Sequence, residues 1–411
     1  MEGEKDMTGG WHDAGDYGKY IAPGSVTVAT LLLANELKPD QFQSDAWNIP
    51  ESGNNIPDLL DEVKYELDWM FKMQREDGAV HEKIHTKHYV QFVMPSYGNV
   101  PQYIYEVSST ATADFAAVMA FSSRVFAKYN KSYADKCLKA AVKAYDYLEK
   151  NPEIFPQGGF KNPPDTEAGG YSDDNDKGER LWAAAELFVT TGKENYHKDF
   201  LKLNKLFEKE FTEAGWNDPT PFAHYVYLLN KSDKINTTEK EKIKKNLIIY
   251  ADKLVELADK DGFRIAMQPQ DYIWGSNGLL LNKAINLLVA YELTKETKYR
   301  DLALTHLDNV LGTNAMKMCY VTGIGTNRIL HLHHAPSVSD VIAEPVPGIM
   351  TEGPNRYLQD DALKNLYTKD TPPAKTYVDN VESYSSNENT IYGNASLIFV
   401  VAYLNAIGFK E

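Results

Sequence analysis

Cysteine is scarce: Cys137 and Cys319 are the only two in 411 residues, and 181 others lie between them. Two such thiols build neither a disulfide framework nor a thiolate metal site. Long apolar runs are also missing. The longest, Leu397 to Leu404, has eight residues, against the ~20 that a bilayer-crossing helix needs. Basic charge is in deficit, with 43 Lys and Arg against 58 Asp and Glu and a net charge of −15. A surface of that sign repels phosphate backbones and anionic headgroups, and no basic block interrupts it, so neither nucleic acid nor membrane is an expected partner. The opening run Met-Glu-Gly-Glu-Lys-Asp lacks the charged-then-apolar pattern of an export signal, which suits a cytoplasmic, a processed or a cut chain alike. Core material is ample. With 43% apolar and 25% charged residues, the composition excludes disorder as the dominant state.

Apolar residues recur at helical spacing through most of the chain. Leu59, Leu60, Val63, Leu67 and Met70 form one stripe behind Pro57, Asp58, Asp61 and Glu62, residue types favoured in a first helical turn. The same spacing predicts further helices at about 24–37, 108–128, 132–149, 178–192, 194–210, 219–230, 239–259, 276–294, 297–312 and 390–407, and a twelfth near 359–366. Period-2 strand runs are few, so the fold class is all-α. Short polar turns such as Asn130-Lys131 and Thr191-Gly192-Lys193 join neighbouring helices as antiparallel hairpins. No residue-level repeat supports a solenoid. The economical packing is an (α/α)6 barrel of six helical hairpins with long loops forming a cleft at one end. Length alone suggests two or three domains; such a barrel uses 1–411 as a single one.

The irregular stretches at 1–23, 39–56, 76–106, 151–177 and 313–389 hold Trp11, Trp47, Tyr89, Tyr97, Tyr103, Tyr171, His85, His88, His331, His333 and His334. Loops so aromatic are poor disordered linkers and read as walls of a binding cleft. Three constellations within reach of such a cleft carry chemistry. In Gly9 to Tyr17 two carboxylates, Asp13 and Asp16, stand three residues apart, with Gly15 allowing a tight turn between them. They suit a shared water-activating site, or equally an Asx turn or helix cap. Glu388 sits among uncharged amides in Ser385 to Asn389. A carboxyl kept from cations and partly desolvated is a general acid near neutral pH, though a first-turn glutamate on a helix dipole looks the same. His331-Leu332-His333-His334 admits a metal site, a substrate contact or a structural loop.

Taken together these segments resemble glycoside hydrolase family 9, the inverting cellulase-type family. The resemblance rests on Gly9 to Tyr17 with Lys19-Tyr20 and Pro23-Gly24, on Ile56 to Glu62 with Met73-Gln74, and on Ser109 to Ala117. It continues through Trp182 to Leu187, Trp274 to Asn277, Tyr320 to Gly323, Pro345 to Gly348, Gly353 to Asn355 and Tyr384 to Ala395. It implies the same six-hairpin barrel, and an enzyme cleaving β-1,4-glucosidic bonds in cellulose-type glucans or cello-oligosaccharides. Carried over, Asp16 is the general base, Asp13 helps hold the attacking water and Glu388 is the general acid. Inversion needs the acid and base on opposite sides of the scissile bond, roughly 6.5–9.5 Å apart, although Asp16 and Glu388 are 372 positions apart in sequence. His333 matches a histidine that hydrogen-bonds the sugar beside that bond. Trp274 and Trp216 are candidate ring platforms, Trp216 reading equally well as core. Tyr384 and Asp379 belong to the segment that leads to the acid and are expected to orient it or touch substrate.

Departures from the family pattern matter as much. Ala335 stands where relatives carry arginine after the two histidines. The loss of that cation motivates an alternative, an exo-β-glucosaminidase acting on chitosan oligosaccharides. A non-catalytic carbohydrate-binding protein on the same scaffold, and a metal-dependent enzyme or lyase on such a barrel, are further alternatives. Relatives often bind calcium before the Trp-Ala-Ala-Ala helix; here Ser172, Asp173 and Glu179 are candidate ligands, with Gly178 where an Asp usually stands. Lys19 and the absence of a nearby cysteine predict no structural zinc at the first motif. No cofactor is expected for the chemistry. Polymer hydrolysis implies a secreted enzyme, and a preceding β-sandwich module, common among relatives, is not in this sequence.

Overall fold

The structure, a computed structural model, describes residues 3–97, 100–207 and 211–408. Five helical hairpins follow one another: α1 (Ile21–Leu37) with α2 (Asp58–Met73), α3 (Ser109–Phe126) with α4 (Lys131–Lys150), and α5 (Lys177–Thr191) with α6 (Glu194–Asn204). Then come α7 (Thr220–Leu229) with α8 (Thr237–Ala258) and α9 (Ser276–Thr294) with α10 (Thr297–Val310). The short helices α11 (Ala335–Ser339), α12 (Asp361–Leu366) and α13 (Tyr384–Asn387) lie in the long segment before α14 (Ile391–Ile407).

Composition sorts the helices into two rings. The first helix of each hairpin is buried almost all round and rich in small residues, such as Ala113, Ala116, Ala117 and Ala120 of α3 and Ala183, Ala184 and Ala185 of α5, so these helices pack side by side at the centre. The second helices bury one stripe only; in α8 Ile243, Leu247, Ala251, Leu254 and Ala258 are buried. α14 packs between α9 and α1 and closes the inner ring. This is the all-α barrel expected from the helical periodicity. The helix expected over 194–210 stops at Asn204, and 208–210 lie outside the described residues. No described helix is long and apolar enough to cross a membrane.

Strands too short for a period-2 signal organise the loops at one end of the barrel. β1 (Lys19–Tyr20), β3 (Lys83–His85) and β4 (Tyr103–Ile104) form one antiparallel sheet, and β2 (Val80–His81) pairs with β5 (Val107–Ser108). The register Lys19↔Ile84 and His85↔Tyr103 lays the 76–106 segment beside the turn that carries Asp13 and Asp16. Lys19 donates from Nζ to the carbonyls of Met7, at 2.9 Å, and Gly9, at 2.7 Å, fixing the start of that turn.

Candidate active site

A cleft of about 1220 Å³ opens among these loops, and Asp13, Asp16, Glu388, His333, Trp216, Trp274 and Tyr384 all line it. Backbone contacts hold its chemistry together. Gly15 donates its N–H to Glu388 Oε1 at 3.0 Å, and Ala335 donates its N–H to Gly15 O at 2.7 Å. A Cβ on Gly15 would stand 2.2 Å from the carbonyl oxygen of His333. The glycine is therefore required by the close approach of the His333 segment, not by the tight turn expected from the sequence, since its φ is not among the positive ones. Gly18 has a similar duty, because a Cβ there would meet the His85 ring at 2.2 Å.

The two aspartates have different surroundings. Asp16 accepts from His85 Nε2 at 3.2 Å and from the Gly18 N–H at 2.6 Å. Burial alone would raise its carboxyl, but the hydrogen bond and charge of His85, with the Gly18 amide, outweigh burial and hold it below the usual carboxylate range. Asp13 is fully buried, and burial, reinforced by the charges of Asp16 and Glu352, pushes it well up despite the hydrogen bond from the Tyr171 hydroxyl. Its other oxygen, Oδ1, has no protein partner. Glu388 is also pushed well up, first by burial and then by the charges of Asp16 and Glu352, against the Gly15 N–H. The cleft thus pairs a carboxylate held ionised with a carboxyl held protonated, as acid–base chemistry at neutral pH needs. His85→Ala removes what holds Asp16 down. The activity loss on acidification then starts at a higher pH than in the parent, with kcat/KM lower by about tenfold, and a pH–rate profile checks it.

Aromatic rings line one wall. Trp274 packs 5.5 Å from Tyr384, Tyr384 6.2 Å from His333 and His333 4.9 Å from Phe92, between ring centroids. His333 donates from Nδ1 to the Val381 carbonyl, which leaves Nε2 as the nitrogen free for a ligand. Trp216 is half-buried against Tyr171 at 4.9 Å; it belongs to the cleft wall as well as to the packing behind it. Tyr384 donates its hydroxyl to Gln359 O at 3.0 Å.

Other expectations need correction. Asp379 is not on the cleft wall: it accepts from the Leu330 and His331 N–H groups at 2.9 and 2.8 Å, and Asn387 Nδ2 lies 3.3 Å away. It braces the loops around the acid, which fits the orienting role expected of it and not the substrate contact. Ala335 is buried at the start of α11 with its N–H on Gly15 O, so the position where relatives carry arginine stands beside the turn that holds Asp13 and Asp16. His331 and His334 do not join His333 there: His331 is exposed and His334 bonds to Ser337 Oγ at 2.9 Å. Ser172 lines the cleft, whereas Glu179 is buried with its Oε2 unpartnered and its carboxyl pushed up by burial and by Asp114 and Asp173. Asp173 stands close enough to Glu179 to push it up, and its Oδ2 is likewise buried and unpartnered, so Ser172 alone is set apart from the expected calcium ligands; among the described residues no group of three or more His, Cys, Asp or Glu is placed to hold a metal.

Three residues had no role from the sequence. His85 and Tyr171 were visible only as loop aromatics, yet His85 holds Asp16 down and Tyr171 donates to Asp13, partly offsetting its burial. Glu352 is buried, accepts from Thr390 Oγ1 at 2.7 Å, has an unpartnered Oε2 and is pushed up to about 7 by burial. Its N–H donates to Glu388 O at 2.8 Å, so a fourth carboxyl joins Asp13, Asp16 and Glu388 at the site.

The family model for glycosyl hydrolase family 9 matches residues 1–401. The chain is 37% identical, over 97% of its length and 69% of the relative's, to a xyloglucan-specific endo-β-1,4-glucanase of Bacteroides ovatus. It is 36% identical to endoglucanase D of Acetivibrio thermocellus over 97% of its length, but spans only 61% of that protein. The crystal structure of the family 9 endoglucanase J30 superposes with a TM-score of 0.91 at 34% identity, covering 97% of this chain and 74% of that one. Nothing in these relatives supports the aminosugar alternative.

Proposed function

The chain belongs to glycosyl hydrolase family 9 and is a glycoside hydrolase, and from that premise we propose that it inverts the anomeric centre while cleaving β-1,4-glucosidic bonds in cellulose-type glucans and cello-oligosaccharides. The observation that carries the proposal is the pair Asp16 and Glu388, on one cleft, with opposite shifts. Their division of labour follows from those shifts. Glu388 gives its proton to the glycosidic oxygen as the C–O bond breaks, while Asp16 takes a proton from the water that attacks the anomeric carbon from the other face. Asp13, kept from ionising, is a poor base; its unpartnered Oδ1 is available to hold that water. The Trp274, Tyr384 and His333 rings give the apolar faces of glucose units a flat surface, and His333 Nε2 offers a hydroxyl contact. Secretion is part of the same proposal, since polymeric glucan lies outside the cell.

The named relatives act on β-1,4-glucans, which favours glucan over chitosan as substrate. Parallel incubations with a cello-oligosaccharide and a glucosamine oligosaccharide test this. Reducing ends are expected from the first only; turnover of the second alone contradicts the proposal.

A further inference from the structure

Glu352 is buried, does not line the cleft and has no part in the two proton transfers. A carboxyl in such a place is costly, because burial opposes its charge and an oxygen without a partner has lost its water. The chain is nonetheless shaped to hold it. Asn277, in the first turn of α9, donates its N–H to Glu352 O and its Nδ2 to Thr351 O, both at 2.9 Å. A Cβ on Gly275, the residue just before that helix, would stand 3.0 Å from Glu352 Oε2. The unpartnered oxygen therefore lies at the N-terminus of a 19-residue inner helix, where the helix dipole favours an anion. The other oxygen, Oε1, accepts from Thr390 Oγ1 at 2.7 Å.

From that place the carboxyl bears on the acid. The 351–353 segment runs beside the one that carries Glu388: Glu352 donates its N–H to Glu388 O at 2.8 Å, and Gly353 donates its N–H to Ser386 O at 2.9 Å. The titratable groups that face Glu352 are Glu388 itself, Tyr392 from α14 and Asp13 from the catalytic turn, and its charge pushes each of them up. None of these is a cation that could absorb that charge. The first residues of α9, Ser276 and Asn277, add no ionisable group. Burial raises Glu352 only to about 7, so it is an anion above neutral pH, where Glu388 must still hold its proton.

Resting on the proposed hydrolase reading, we propose that Glu352 is a positioning residue for the acid: its carboxylate, held between Thr390 and the start of α9, keeps the proton on Glu388 and so sets how far into alkaline conditions the enzyme works. The effect passes through Glu388, and Glu352 itself touches no substrate.

The test compares pH profiles of kcat/KM on cellotetraose for the parent, Glu352→Gln and Thr390→Ala. Glutamine keeps the shape of the side chain and removes its charge. The alkaline limb of Glu352→Gln is expected about one pH unit below the parent's, so that activity on the parent's alkaline slope falls about tenfold. Its acidic limb, set by Asp16, is expected to stay in place. Thr390→Ala removes the hydrogen bond and leaves the carboxyl; it is expected to move the alkaline limb the same way by less, and it carries the test should the glutamine variant fail to fold. A dinitrophenyl cellobioside, whose leaving group needs no proton, is expected to show no such movement, and an equal movement there overturns the inference. A merely structural role would lower the whole profile and leave both limbs where they were. That result overturns the inference, the hydrolase reading standing. A parent enzyme that hydrolyses neither substrate overturns that reading, and the inference with it.

Discussion

Glu388→Gln is expected to lower kcat on a cello-oligosaccharide by about 10³-fold while leaving the melting temperature close to that of the parent. The two halves of that expectation have separate reasons. The side chain is buried, and burial together with the charges of Asp16 and Glu352 keeps it protonated, so a neutral amide of the same shape fits without uncovering a charge. Its Oε1 can still accept from the Gly15 N–H. What the amide cannot do is give a proton to the leaving oxygen. A substrate whose leaving group needs no protonation, such as a dinitrophenyl cellobioside, is therefore expected to lose far less, on the order of tenfold. Equal losses on both substrates would show that Glu388 has another role.

Asp16→Ala is the complementary case. Removal of the base is expected to reduce kcat by a comparable factor, about 10³, and added azide is expected to restore about tenfold or more. The anion attacks the anomeric carbon without needing a proton removed, forming a C–N bond as the glycosidic C–O bond breaks and Glu388 protonates the departing oxygen. The shortened side chain leaves it room. In the parent, the lowered carboxyl of Asp16 sets the acidic limb of the pH–rate profile and the raised carboxyl of Glu388 the alkaline one. Activity thus falls below the ordinary carboxylate range on one side and only well above it on the other. The Asp16→Ala variant, assayed in azide, should keep the alkaline limb, while its acidic limb should move up from that of Asp16 to the titration of azide itself, a weak acid in the ordinary carboxylate range; recovery with Asp13→Ala instead would exchange the roles of the two aspartates.

What the sequence made legible follows the range of the interactions involved. The barrel helices were readable because 3.6-residue periodicity is a local property, and α9, expected at 276–294, occupies Ser276–Thr294. Strands of two or three residues, and α11 and α13 with five and four, are shorter than the window over which a period can be detected. The cleft residues Asp13, Asp16, Glu388, His333 and Trp274 were readable through motif resemblance. Their partners were not. His85 meets Asp16 across 69 positions and Tyr171 meets Asp13 across 158, and neither lies in a pattern that names its target. Asp379 was misplaced as a substrate contact for a related reason: proximity to Glu388 in sequence does not say which side of a turn its side chain takes. It turned toward two backbone N–H groups, where a carboxylate is well satisfied. Of the candidate calcium set, Ser172 is directed to the cleft, while Glu179 lies in the barrel wall within reach of the charges of Asp173 and Asp114.

The central claim is that Asp16 delivers water to the face opposite the bond that Glu388 breaks. Proton NMR of fresh cello-oligosaccharide hydrolysate tests it most directly, by following the new reducing end before mutarotation. The α-anomer signal is expected first, decaying toward the equilibrium mixture; an initial β-anomer would contradict inversion and require a covalent intermediate on one of these carboxylates.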